Sequence, residues 1–289
     1  MLSALYIGLR FVHFAALMVA FGCSLYAGWW APSELRRLLQ HRFCQLLRSA
    51  LALSAFSAML MLVAQGGLMG DGWSDTWRPE VWQAVLQTQF GSVWLWQIVL
   101  AWVALGVAWV QPRQMMRLLL LLCVAQFMLL AGVGHAAMHD GVLGSVQRIN
   151  HAAHLLCAAA WVGGLTPFLY CLRLASGRWR KPAIATMMRY SRYGHLAVAG
   201  AVSTGLINAG LIQGGFTAST AYGLALWIKI ALVALMIMLA LFNRYWLVPR
   251  MTATAGWAQG VFIRTTQAEI ILGALVLACV SLFATWEPF

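Results

Sequence analysis

A chain of 289 residues that is 62% hydrophobic and only 9% charged, with 15 Trp and a mean hydropathy of +0.79, is too apolar to fold as a water-soluble domain. A formal charge of +12 would point to nucleic acid or anionic ligands in a soluble protein. In a membrane protein its meaning depends on which loops carry it.

A helix that crosses a bilayer needs about 20 mostly apolar residues, and eight such runs follow one another. They are Leu5–Trp30, Phe43–Gln65, Ser92–Val110, Met115–Met138, His151–Leu172, Tyr190–Gln213, Leu224–Trp246 and Thr266–Thr285. The first lacks a basic leader, carries Arg10 and His13 inside its apolar run, and is too long for the core of a signal peptide, so it reads as a retained span. Asp71–Phe90, with Trp73, Trp77 and Trp82, reads as a surface loop or short interfacial helix. The expected fold is all-α, a single polytopic membrane domain over 1–289.

Orientation follows from the basic residues. Every one of the 19 Lys and Arg except Arg10, Arg78, Arg148 and Lys229 belongs to the connections after spans one, three, five and seven or to their flanks. The positive-inside rule puts these connections in the cytoplasm and both termini in the periplasm. The opposite connections hold Asp71, Asp75, Glu80 and Asp140.

With that topology, His135, His139, His151 and His154 gather at the periplasmic boundary, where span four rises and span five descends. His154 lies about 5 Å inside its helix start, and His13 about 12 Å below the same surface. His135 and His139 are spaced i, i+4, and His151 and His154 i, i+3, so each pair is expected on one helix face. Neutral imidazole suits copper and zinc, and thioethers such as Met138, Met69, Met61 and Met59 in the same leaflet favour Cu(I). Any single Met is more often core filler than ligand. His41 is expected to be solvated in a basic cytoplasmic loop, and His195 starts span six from the cytoplasmic side, too far away to join one small site with the others.

Cys23, Cys44, Cys123, Cys157, Cys171 and Cys279 lie in or beside apolar spans without a Cys-x-x-Cys pair, so neither a disulfide framework nor a zinc knuckle is indicated. A Ser-His-Asp set, a phosphate-binding Gly loop and paired intramembrane carboxylates are all missing, which argues against a hydrolase or a nucleotide-driven pump. The expectation is a protein that is not an enzyme.

RFVHF at Arg10–Phe14, GHA at Gly134–Ala136, HLLCAAAWVGGLTPF at His154–Phe168, YGLALWIKIALVAL at Tyr222–Leu235, NRYWLVPR at Asn243–Arg250 and the late Glu269 together resemble the copper-resistance D (CopD) family of bacterial inner-membrane proteins. The resemblance covers nearly the whole chain and implies copper import or transfer across the inner membrane. It also implies a separate periplasmic copper-binding partner of the CopC type, because this chain carries no fused soluble copper domain. Position by position, the family's histidines match His13, His135 and His154, with His139 and His151 less securely part of the pattern.

Arg10 and Lys229 complicate a pure copper reading. Both fall in the periplasmic halves of their spans, where a positive charge near the histidines repels a cation unless carboxylates pair with it. Basic groups beside histidines of a helical bundle also suit the propionates of a b-type haem held between two imidazoles. The sequence therefore leaves two occupants open at the histidine site, copper and haem b, with Met138, Met69, Arg10 and Lys229 as accessory groups.

Overall fold

The computed structural model describes residues 1–134, 138–213, 220–251 and 256–286. Among them every regular element is helical: α1 Leu2–Leu25, α2 Ser33–Met69, α3 Pro79–Leu86, α4 Gln89–Val110, α5 Met115–Leu130, α6 Gly141–Ala158, α7 Gly164–Leu174, α8 Arg180–Gln213, α9 Ala221–Phe242 and α10 Gly256–Phe283. Three π turns interrupt or extend them, at Tyr26–Trp30 after α1, Ala159–Gly163 between α6 and α7, and Asn243–Leu247 after α9.

Local chemistry explains the ends. The hydroxyls of Thr88 and Thr220 accept the backbone N–H groups of Gly91 and Gly223, both at 3.0 Å, and so cap α4 and α9. Gln111 closes α4 in the left-handed conformation with φ of 53°, and Pro112 follows where no further helical N–H is needed.

Among the described residues seven helical stretches are long and apolar enough to cross a membrane, with α6, the π turn and α7 acting as one. The fourth apolar run differs from expectation. It was expected to reach Met138, yet α5 has 16 residues, about 24 Å of rise, and stops at Leu130. Gly132 and Gly134, the latter at φ of 74°, turn the chain out of the helix. The next helix starts at Gly141 instead of His151, and α2 starts at Ser33 instead of Phe43, so His41 and the arginines around it lie on a helix. Between α2 and α4 the tryptophan-rich segment forms a turn of 3-10 helix at Trp73–Trp77 and the short α3, with Trp73 and Trp77 exposed.

α1 is the hub of the core, packing on α2, α5, α7, α10 and the Ala159–Gly163 turn. The last contact is backbone to backbone: a Cβ on Gly22 would lie 2.0 Å from the Gly163 carbonyl oxygen, and one on Gly163 2.1 Å from that of Met18. By contrast only 17% of the apolar stretches of α8 and of α9 is buried, and these two helices scarcely touch each other. Apolar side chains that face outward along whole helices are those of a protein whose solvent is lipid.

Candidate functional site

His13 lies in the middle of the α1 core face and is fully buried. Its Nδ1 is 3.0 Å from the Ser54 carbonyl oxygen of α2, and its Nε2 is 3.0 Å from the Gln97 side-chain nitrogen of α4. The same Gln97 nitrogen donates to Gln126 Oε1 of α5 at 3.4 Å, and Gln126 Nε2 donates to the Leu122 carbonyl at 3.3 Å. Carbonyl oxygens only accept, so both ends of this chain are fixed and every proton between them is assigned. Gln126 must turn its amino group to Leu122, Gln97 must donate, His13 Nε2 must accept, and His13 Nδ1–H must donate to Ser54. The ring also meets Trp94, with centroids 5.7 Å apart, and the Trp94 indole N–H is tied to the Ala58 carbonyl at 2.9 Å. One acceptor in this dry network lacks a partner among the described residues: Gln97 Oε1.

A second polar cluster joins α6 to α8. His154 Nδ1 is 3.0 Å from the Ala201 carbonyl and 3.2 Å from the Thr204 hydroxyl. Nδ1 therefore carries the proton, and Nε2 keeps its lone pair. His151, one turn earlier on α6, stacks on it with centroids 6.3 Å apart and planes 19° from parallel. Its protonation runs the other way. Asn150 Nδ2 donates to Asn208 Oδ1 at 2.9 Å and to the Thr204 carbonyl at 3.0 Å, which turns the Asn208 amino group toward His151 Nδ1 at 3.2 Å. Nδ1 of His151 thus accepts. Lys229 of α9 and Cys279 of α10 are close enough to interact electrostatically with each other, and Lys229 also with His154. The ion pairs found among the described residues involve Arg78 with Asp75 and Glu80, so Lys229 has no carboxylate partner there.

The expected site residues fall into separate places. His13 takes its hydrogen-bond partners from α2 and α4, and His154 takes its from α8. His135 lies outside the described residues. His139 and Met138 are not on a helix, in contrast to the helical face expected for His139: α5 ends at Leu130 ahead of Gly132 and Gly134, and His139 Nδ1 donates to Gln147 Oε1 of α6 at 2.7 Å. Met138 and Met69 are exposed. Arg10 lies over the Phe14 ring at 5.6 Å. Among the described residues no three His, Cys, Asp or Glu side chains are grouped closely enough to hold a metal ion, and all six cysteines are free. Sequence reasoning passed over Gln97, Gln126, Asn150, Asn208 and Thr204, whose only signal is an uncharged polar side chain inside an apolar run.

At the basic end of the bundle, Glu269 of α10 is buried and accepts from Asn243 Nδ2 at 2.5 Å, while Thr265 donates to Asn243 Oδ1 at 2.5 Å. The π turn that begins at Asn243 therefore serves to pair the buried carboxylate.

Residues 1–145 match the family description "Copper resistance protein D-like, N-terminal domain" and residues 184–283 match "Copper resistance protein D". The chain belongs to the copper resistance protein D family. A full-length relative, the "Inner membrane protein YebZ" of Escherichia coli (strain K12), is 53% identical over 291 residues, covering 100% of both chains. The "Copper resistance protein D" of Pseudomonas syringae pv. tomato is 30% identical over 302 residues, covering 98% of this chain and 96% of its own. No solved structure matches. The matched regions take in α1 to α5 with His13, and α8 to α10 with Lys229 and Glu269, while His154 lies between them. As a member of this family with several apolar spans, the chain is a multi-pass inner-membrane protein linked to copper resistance.

Proposed function

We propose that this protein imports copper or transfers it across the inner membrane, taking the ion at a periplasmic-side site of imidazoles. The observation that carries this reading is His154, whose Nδ1–H is anchored on the Ala201 carbonyl so that Nε2 stands free as a ligand, an arrangement common to metal-binding histidines. His135 and His13 are the proposed co-ligands, the latter once Gln97 gives up its hydrogen bond. His151 and His139 serve as positioning groups, since His151 Nδ1 is already taken by Asn208. In this reading eight helices span the membrane with α5 the shortest, both termini are periplasmic, a separate CopC-like protein delivers the metal, and no chemical reaction is catalysed. The name of the Pseudomonas relative supports copper as the cargo.

Lys229 favours a second reading. A cation beside His154 without a carboxylate among the described residues suits an anionic group, and a b-type haem with its propionates near Lys229 and Arg10 would supply one.

The test is to purify His13→Ala, His135→Ala, His139→Ala, His151→Ala, His154→Ala and His195→Ala variants and measure bound copper together with the visible absorption spectrum. Loss of a ligand should exceed the roughly 10- to 100-fold affinity loss typical of a positioning group. Full copper content in the His135 and His154 variants, with loss in His195→Ala, overturns the site. A haem absorption band that Lys229→Met weakens in a folded protein selects the second reading.

A further inference from the structure

At the basic end of the bundle a cavity of about 800 Å³ opens between α7, α8, α9 and α10. Its walls are largely apolar, including Leu165, Phe168, Ile184, Val198, Ile237 and Leu241, and α8 and α9, which both contribute to them, scarcely touch each other. It merges with a second pocket of about 570 Å³ lined by Met188, Arg189, Arg192, His195, Arg244 and Tyr245, four of which also line the first. An apolar chamber thus adjoins a cluster of three arginines.

None of these arginines is paired with a carboxylate among the described residues. Arg244 donates to the Ser191 hydroxyl, and Arg189 donates to the Trp30 carbonyl at 2.5 Å. Arg192 is exposed and makes no hydrogen bond within the described fold. Glu269 does border the chamber, but Asn243 engages it. An apolar void of only ~150 Å³ already takes up small apolar guests, so a chamber several times larger beside acyl chains fills with one. Guanidinium groups match phosphate oxygens in number and geometry, and basic pockets between membrane helices hold anionic headgroups.

We infer that the cleft between α8 and α9 is a binding site for an anionic phospholipid, with an acyl chain in the apolar cavity and the phosphate on Arg192 and Arg244. A second copy of this chain is a poor occupant, since a two-fold related copy would bring the same arginines against them. The inference is independent of where copper binds.

Native mass spectrometry of the detergent-purified full chain, titrated with phosphatidylglycerol or phosphatidylcholine, tests it. Phosphatidylglycerol should bind selectively, Arg192→Gln should weaken it by roughly fivefold, and the Arg192→Gln, Arg244→Gln double variant by roughly 25-fold, on the electrostatic worth of one basic residue at an anionic membrane surface. Ala240→Trp, which fills the chamber without altering charge, should weaken it as well. Arg192→Gln removes no hydrogen bond of the fold, so it remains informative if the double variant fails to fold. Equal binding of both lipids, an unchanged Arg192→Gln variant, or an unchanged Ala240→Trp variant overturns the proposal. Displacement of the lipid by inorganic phosphate would assign the arginines to a free anion and overturn it too.

Discussion

His13 and His154 both give one ring N–H to a helix carbonyl, and the difference between them lies at the other nitrogen. On His13 it accepts from Gln97 inside a closed relay of four helices, whereas on His154 it is left over. The His13 relay behaves as a unit, because removing one donor strands two acceptors in a dry interior. Gln97→Leu leaves His13 Nε2 and Gln126 Oε1 without a donor, and unfolding in detergent should show a loss of about 1–3 kcal/mol. A smaller loss than that of an exposed control such as Leu121→Ala would mean that water replaces the amide. His13 and His154 stand out in the sequence because an ionisable side chain is rare inside an apolar span. Gln97, Gln126, Asn150 and Asn208 do not, since an amide in an apolar run signals that a partner exists without saying which helix supplies it.

Elements are shaped here by departures from the regular α-helix. Two of the π turns deliver carbonyls that a continuous helix would keep to itself, from Trp30 to Arg189 and from Trp161 to Tyr190, and the third begins at Asn243, whose side chain reaches Glu269. The apolar runs located the helices well because length and hydropathy are read directly, but π turns leave no periodicity of their own, and the early stop of α5 depended on the backbone at Gly134. The Ala159–Gly163 turn also brings Gly163 onto Gly22 and Met18 of α1, where only a missing Cβ permits the approach. Gly163→Ala must push two backbones apart and should cost at least the 1–3 kcal/mol typical of overpacking. Gly8→Ala on the same α1, with nothing within 4 Å of its new Cβ, should leave the unfolding temperature unchanged or slightly raised. Equal behaviour of the two variants would place the α1 hub elsewhere.

Apart from the central His13 relay, the polar clusters described sort to two halves of the molecule. His139, His151 and His154 with Lys229 belong to one half, while Glu269, the 800 Å³ cavity and the arginines of α2 and α8 belong to the other. The sorting of charge was readable from the sequence, but the cavity was not, because it exists only where α8 and α9 fail to pack. The proposed orientation rests on the same sorting, since basic segments stay in the cytoplasm when a helix inserts and acidic ones cross with little penalty. Arg178 and Arg180 follow α7, and the opposite connections carry Asp71, Asp75 and Asp140. A reporter active only in the cytoplasm should therefore work when inserted between Ser176 and Arg180 and stay silent when fused after Phe289. The number of crossings needs a third fusion, ahead of Met1, because α8, α9 and α10 separate the first two positions whether or not α5 spans, whereas the two termini share a side only if it does. Activity ahead of Met1 with silence after Phe289 would mean that α5, with its 16 residues, does not cross, leaving seven spans, and activity after Phe289 with silence between Ser176 and Arg180 would invert the bundle and place His151 and His154 at the cytoplasmic face.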